Sequence, residues 1–187
     1  MQLHQLEHLI RAAGAVTDRY EFIVVGSQSI LGSVERPPLE CLMSNEADLY
    51  PKDAEELWDK IDGALGEGSP FHDTYGYYAQ GVDSTTAVLP KGWQGRLTRL
   101  QTPATNERIA YCIEVLDLFM SKCAANREKD RDFNVVLLRA GLVDEQSALQ
   151  RVPDMPVDAA ARSRMALLIK RLAARAGASG PLPPSVG

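Results

Sequence analysis

The chain has 187 residues, 45 % of them apolar and 24 % charged, and a formal net charge of −5. That is the balance of a soluble globular protein with one core, or one core plus a small helical appendage. The acidic excess argues against wholesale attraction to nucleic acid or a membrane surface, while leaving room for a local basic patch. In chain order, Leu3, Leu6, Leu9 and Ile10 recur at helical spacing and predict an amphipathic helix over 2–18. "EFIVVG" reads as a short β-branched strand closed by Gly26, and "SQSILG" as one or two turns of helix with Ser27 at the N-cap. "SVERPPLE" is a loop, because Pro37 and Pro38 exclude regular structure. "EADLYP" is a second strand stopped by Pro51. "KDAEELWDKIDGAL" is a helix with acidic residues in its first turn, where the helix dipole favours them. "TYGYYAQGV", "GRLTRLQT" and "RIAYCIEVL" predict three further strands, the last the clearest.

From Asp117 onward the pattern turns helical. The charges at the centre of "DLFMSKCAANREKDRDFNVVLLRAGL" predict two helices meeting near residues 127–129. "DEQSALQRV" and "VDAAARSRMALLIKRLAARAG" predict two more. The expected architecture is α/β (α+β): a small mixed sheet flanked by helices over 1–116, a C-terminal helical part over 117–176, and a Gly/Pro/Ser-rich disordered tail over 177–187. The longest apolar runs fall far short of a membrane span. Residues 1–16 lack the basic-then-apolar order of an export signal, so no membrane contact and a cytoplasmic location are expected. Cys41, Cys112 and Cys123 have no metal-like spacing, and read as buried thiols in a reducing compartment.

Two features carry chemistry. A strand ending in Gly26-Ser27 and turning into a helix is either a plain turn and cap or a phosphate cradle of backbone N–H groups and a hydroxyl. Glu46 and Asp48, at alternate positions of the next strand, share one face of the sheet and repel unless a cation sits between them. Two carboxylates beside phosphate oxygens make the hard oxygen site that Mg²⁺ prefers. The bland alternative is an edge strand with its polar face in water. Phosphates held at the turn and a metal held by the next strand are the working parts of nucleotidyl transfer.

The pattern of strand, Gly-Ser, short helix, loop and strand with acid-x-acid resembles the DNA polymerase β-like nucleotidyltransferase superfamily. Within it the likeness is nearest to the AbiEii-type toxins and related uncharacterised bacterial nucleotidyltransferase-like proteins. It extends to "EVLDLFMSKCAANREKDRDF" and covers residues 20–135. The resemblance implies that Gly26 and Ser27 grip the triphosphate of an NTP substrate, and that Glu46 and Asp48 bind Mg²⁺. It also implies that Lys122 and Asp130 belong to the catalytic set with Asp48. Lys122, Asn126 and Lys129 or Asp130 are spaced to share one helix face, from which a Lys could neutralise charge on a transferring phosphate. Asp130 would then hold Lys122 or contact the base or ribose. NMP transfer to an RNA (tRNA) or protein hydroxyl follows, with a toxin or phage-defence role and an antitoxin partner. Two departures stand against this. Glu46 occupies a position where that family usually has Asp, and a third carboxylate has no clear counterpart, Glu114 and Asp117 being the candidates. A catalytically weakened pseudoenzyme that binds nucleotide or a partner protein is the alternative.

Other clusters have simpler readings. His72, Tyr75, Tyr77, Tyr78 and Gln80 could stack a base, but a half-buried strand with cross-strand aromatic pairs accounts for them. His4 and His8 read as surface histidines. Trp93 with Lys91, Arg96 and Arg99 forms the best local basic stretch.

Overall fold

The computed structural model describes residues 1–178. Its elements are α1 (Leu3–Thr17), β1 (Glu21–Val25), α2 (Ile30–Ser33), β2 (Glu46–Pro51), α3 (Trp58–Leu65), α4 (Pro70–Tyr75) and β3 (Tyr78–Gly81). There follow β4 (Thr98–Leu100), β5 (Ile109–Cys112), α5 (Val115–Ala125), α6 (Glu128–Arg139), α7 (Glu145–Arg151) and α8 (Ala159–Ala178). The strands form one mixed sheet in the order β3-β2-β1-β5-β4. β1 runs antiparallel to β2 and parallel to β5, β2 is parallel to β3, and β4 is antiparallel to β5. This is the expected α/β architecture: a mixed sheet, flanking helices and a helical C-terminal part.

Strand alternation sorts the two faces. Phe22, Val24, Ala47, Leu49, Ala79, Ala110 and Cys112 are fully buried and in register with one another on one face. That face carries α3, which approaches so closely that a Cβ on Gly81 would overlap the Trp58 carbonyl oxygen. It also carries α2, whose Gly32 lies against the Cys112 thiol. α1 turns Leu6, Leu9, Ile10 and Ala13 into the same core. Its first turn is closed by a reciprocal Gln2–Gln5 capping box, and it ends at Asp18 in the left-handed region, φ 54°. All three cysteines are buried, and burial pushes each thiol up to about 12.

Several sequence expectations need correction. The aromatic stretch read as one strand is a helix and a strand: Ser69 caps α4 by accepting from the His72 amide, Pro70 opens it, and Gly76 in the left-handed region ends it. β3 then begins at Tyr78. His8 is no surface residue. Its Nδ1 lies 2.7 Å from the Tyr77 hydroxyl, and its ring packs against Phe71 and Tyr75. α8 runs on to Ala178, two residues into the expected tail; the remainder, 179–187, lies outside the described residues. Among the described residues no helix is long and apolar enough to cross a membrane.

A cluster of four charges ties the helical part to the sheet. Arg96, in the turn before β4, meets Asp117 of α5 at 2.9 Å and Glu114 at 3.1 Å. Arg151 of α7 meets the same two acids at 2.5 and 3.1 Å. Burial pushes the Asp117 carboxyl up despite both guanidiniums, and its side chain is 1 % exposed. Replacing Asp117 by Ala leaves two cations facing each other without their shared anion. It is expected to lower unfolding free energy by about 3 kcal/mol in urea titrations. Asp132→Ala, which breaks an exposed pair with Arg175, should cost under about 1 kcal/mol. Equal losses would show that the cluster does not hold the two parts together.

Candidate functional site

β1 delivers the chain to Gly26, which has φ 66° and ψ −168°, a conformation open to glycine and few other residues. The Gly26 carbonyl accepts from the Ser29 amide and the Ser29 hydroxyl, folding the chain into a 3₁₀ turn over Ser27–Ser29. Gly26 rather than Ser27 is therefore the cap. The α-helix that follows is a single turn, so little macrodipole stands behind it. Any anion held here meets turn amides and the half-buried Ser27 side chain.

β2 places Glu46 and Asp48 on the sheet face opposite the apolar one, both half-buried. Asp48 pairs with Val25, one residue before the turn. A Cβ on Gly26 would overlap Asp48 Oδ2 and stand 3.0 Å from its Cγ. The acid pair and the Gly-Ser turn thus converge on one spot. Burial pushes the Asp48 carboxyl up to about 7, and Glu46 adds to this by repulsion and a shared proton, while Lys122 and Lys129 oppose it. Burial also raises the Tyr78 hydroxyl, with Glu46 and Glu67 adding to the effect.

The cations come from the α5–α6 junction. α5 ends at Asn126 in the left-handed region, φ 52°, and Arg127 caps α6 through a reciprocal contact with Asp130. Lys122, Asn126 and Asp130 therefore do not share one helix face, as their spacing suggested; a break at 126–127 brings them together instead. Lys122 Nζ lies 3.1 Å from Asp130 Oδ1 and 4.4 Å from the Phe133 ring centroid. Arg127 Nε lies 2.6 Å from Asp130 Oδ2. Burial lowers the Lys122 ammonium below its ordinary range, and Asp130 only partly offsets this. Burial alone would raise the Asp130 carboxyl, but Arg127 and Lys122 outweigh it and hold it low. With its side chain 0 % exposed and both oxygens engaged, Asp130 presents nothing to a base or ribose.

Neither candidate for a third carboxylate joins the acid pair. Glu114 caps α5 instead of ending a strand, Asp117 lies in that helix's first turn, and both serve the arginine cluster. The strand neighbours of the pair are Tyr78, opposite Glu46, and Gln80, opposite Asp48. Among the described residues no group of three or more His, Cys, Asp or Glu side chains could hold a metal ion. Sequence reasoning places Tyr78 and Gln80 in an aromatic cluster and gives Arg127 no role. Period-two alternation of "YAQG" beside "EADL" is the signal for the first two; nothing local marks Arg127.

Residues 1–158 match the family model described as "Nucleotidyltransferase of unknown function (DUF6036)". No curated protein matches the chain, and no solved structure does.

The Gly26–Asp48 approach has a measurable consequence. Gly26→Ala combines a strained φ with a methyl group placed on Asp48, and should lower unfolding free energy by about 1–3 kcal/mol in urea titrations. Pairing the substitution with Asp48→Ala should recover part of that loss. Identical costs with and without Asp48 would mean that the carboxylate does not pack on the turn.

Proposed function

The chain belongs to this nucleotidyltransferase family of unknown function, and from that premise we propose that it transfers a nucleoside monophosphate from an Mg²⁺–NTP complex to a hydroxyl of an RNA, such as tRNA, or a protein. The observation that carries the reading is the meeting of the acid pair with the Gly26 turn. The donor set fits a magnesium ion: two hard, half-buried carboxylates lie on one strand face, leaving other coordination positions to phosphate oxygens and water. Glu46 and Asp48 would hold it. Bound there, the cation would neutralise phosphate charge and polarise the reacting phosphorus.

The other roles belong to the chain's own groups. The turn at Gly26 and Ser27 binds the triphosphate through its backbone and hydroxyl. Lys122, close enough to Asp48 to shift its ionisation, offsets the charge that grows on the transferring phosphate. Asp130 is a positioning residue: it fixes the Lys122 ammonium by an ion pair, and Arg127 completes its own coordination. The acceptor oxygen forms a bond to the α-phosphorus as the bond to pyrophosphate breaks, and pyrophosphate leaves with the bonding electrons. The likeness to AbiEii-type proteins supports a toxin or phage-defence setting with an antitoxin partner.

One observation favours a second reading. Tyr78 and Gln80 stand beside the acids where a further carboxylate would help catalysis, and the first acid is Glu rather than Asp. A pseudoenzyme would keep nucleotide binding and lose turnover.

Incubation with labelled NTPs, Mg²⁺ and total RNA should label an acceptor. Asp48→Ala should abolish the signal, and Lys122→Met should lower the rate about 10²- to 10³-fold. Labelling equal in wild type and Asp48→Ala would end the catalytic claim. Nucleotide-dependent thermal stabilisation without any turnover would favour the pseudoenzyme.

A further inference from the structure

Resting on the nucleotidyltransferase reading, we propose that Gln80 fixes the capacity of the acid pair at one divalent cation per chain. Gln80 therefore determines how this site handles metal, a matter distinct from whether transfer occurs.

The argument begins with register. β3 lies parallel to β2, and Gln80 stands directly opposite Asp48 on the same sheet face. Val25 stands opposite Asp48 on the other flank. The residue beside Glu46 is Tyr78, a phenol whose hydroxyl is raised and so stays neutral. The strand positions bordering the pair are thus uncharged, and Glu46 and Asp48 together supply at most two negative charges. One divalent cation balances two carboxylates. A second ion about 3.5–4 Å from the first would need a further acid to bridge or neutralise it.

Nearby carboxylates are engaged elsewhere. Asp130 is enclosed by Lys122 and Arg127. Glu114 and Asp117 are held by Arg96 and Arg151. Glu67 bears on Tyr78 but is exposed. Asp62 of α3 accepts a 2.6 Å hydrogen bond from Gln80 Nε2. This last contact also settles the amide's orientation. A carboxylate can only accept, so the NH₂ end of Gln80 faces Asp62 and the carbonyl Oε1 is the end left over. Asp62 thereby holds Gln80 as a neutral oxygen beside the pair, where a carboxylate would raise the site's charge by one.

The test uses Mn²⁺, counted by electron paramagnetic resonance on the full chain with an NTP analogue that cannot be cleaved between the α- and β-phosphates. Wild type should bind one Mn²⁺ per chain beyond that on free nucleotide, and Asp48→Ala none. The double variant Asp62→Asn with Gln80→Glu exchanges acid and amide. The amide introduced on α3 can then donate to the carboxylate introduced on β3, and the net charge is unchanged. This variant should bind two Mn²⁺, with the spin–spin broadening of neighbouring ions. Gln80→Glu alone is the second variant, should the exchange disturb folding. Two ions on wild type would overturn the inference while leaving the transferase reading intact. A count of one in folded variants that carry the Gln80→Glu substitution would likewise overturn it. Wild type binding no Mn²⁺ would remove the transferase reading, and this inference with it.

Discussion

A backbone without a side chain at Gly26 is the constraint on which the site depends. The first strand ends there in a conformation that other residues enter only under strain. The carboxylate of Asp48 occupies the space that any Cβ would need. Those two facts bring an acidic strand and a tight turn within contact of each other. Burial then makes two adjacent carboxyls costly to ionise together, which is the condition under which a pair of acids favours a bound cation over two separate charges. The fold places the apolar residues of β1 and β2 on one sheet face and leaves the other to chemistry.

The cations opposite the pair are arranged by a different device. A helix that ran on from α5 would have carried Asp130 past Lys122. Asn126 in the left-handed region stops it, and the cap at Arg127 starts the next helix so that Asp130 turns back onto the lysine. Lys122 is mostly buried, held by one ion pair and an aromatic ring. An ammonium in that setting has few rotamers to lose when an anion arrives.

Much of the frame was legible from residue order. "EFIVV" and "EADLYP" have the β-branched and alternating patterns of strands, and Gly26 and Pro51 punctuate them; the structure has β1 and β2 there. The helical C-terminal part announced itself by apolar spacing. What was not legible came from competition between local signals. Three tyrosines around Gly76 suggested a long strand, yet Ser69 and Pro70 form a start signal strong enough to make a helix of "PFHDTY". Spacing at i, i+4 and i+8 suggested one continuous helix face, but a single residue at positive φ reset the geometry. The neighbours of the acid pair could not be read at all until strand order was known, because Gln80 and Asp48 are 32 positions apart and meet only through β2–β3 pairing. The destination of Asp117 was equally hidden, since its partners Arg96 and Arg151 lie 21 and 34 residues away.

The four-charge cluster around Asp117 bears on recognition as well as on folding. It anchors the first turn of the helix that carries Lys122 to both the β4 side of the sheet and α7. An enzyme whose two halves swing shut can reject a wrong substrate by failing to close. A braced cleft forgoes that checkpoint. Its selectivity has to come from the fit of groups already in place, so discrimination between acceptors rests on the shape and charge of the entrance, with no later conformational step to correct a mistake.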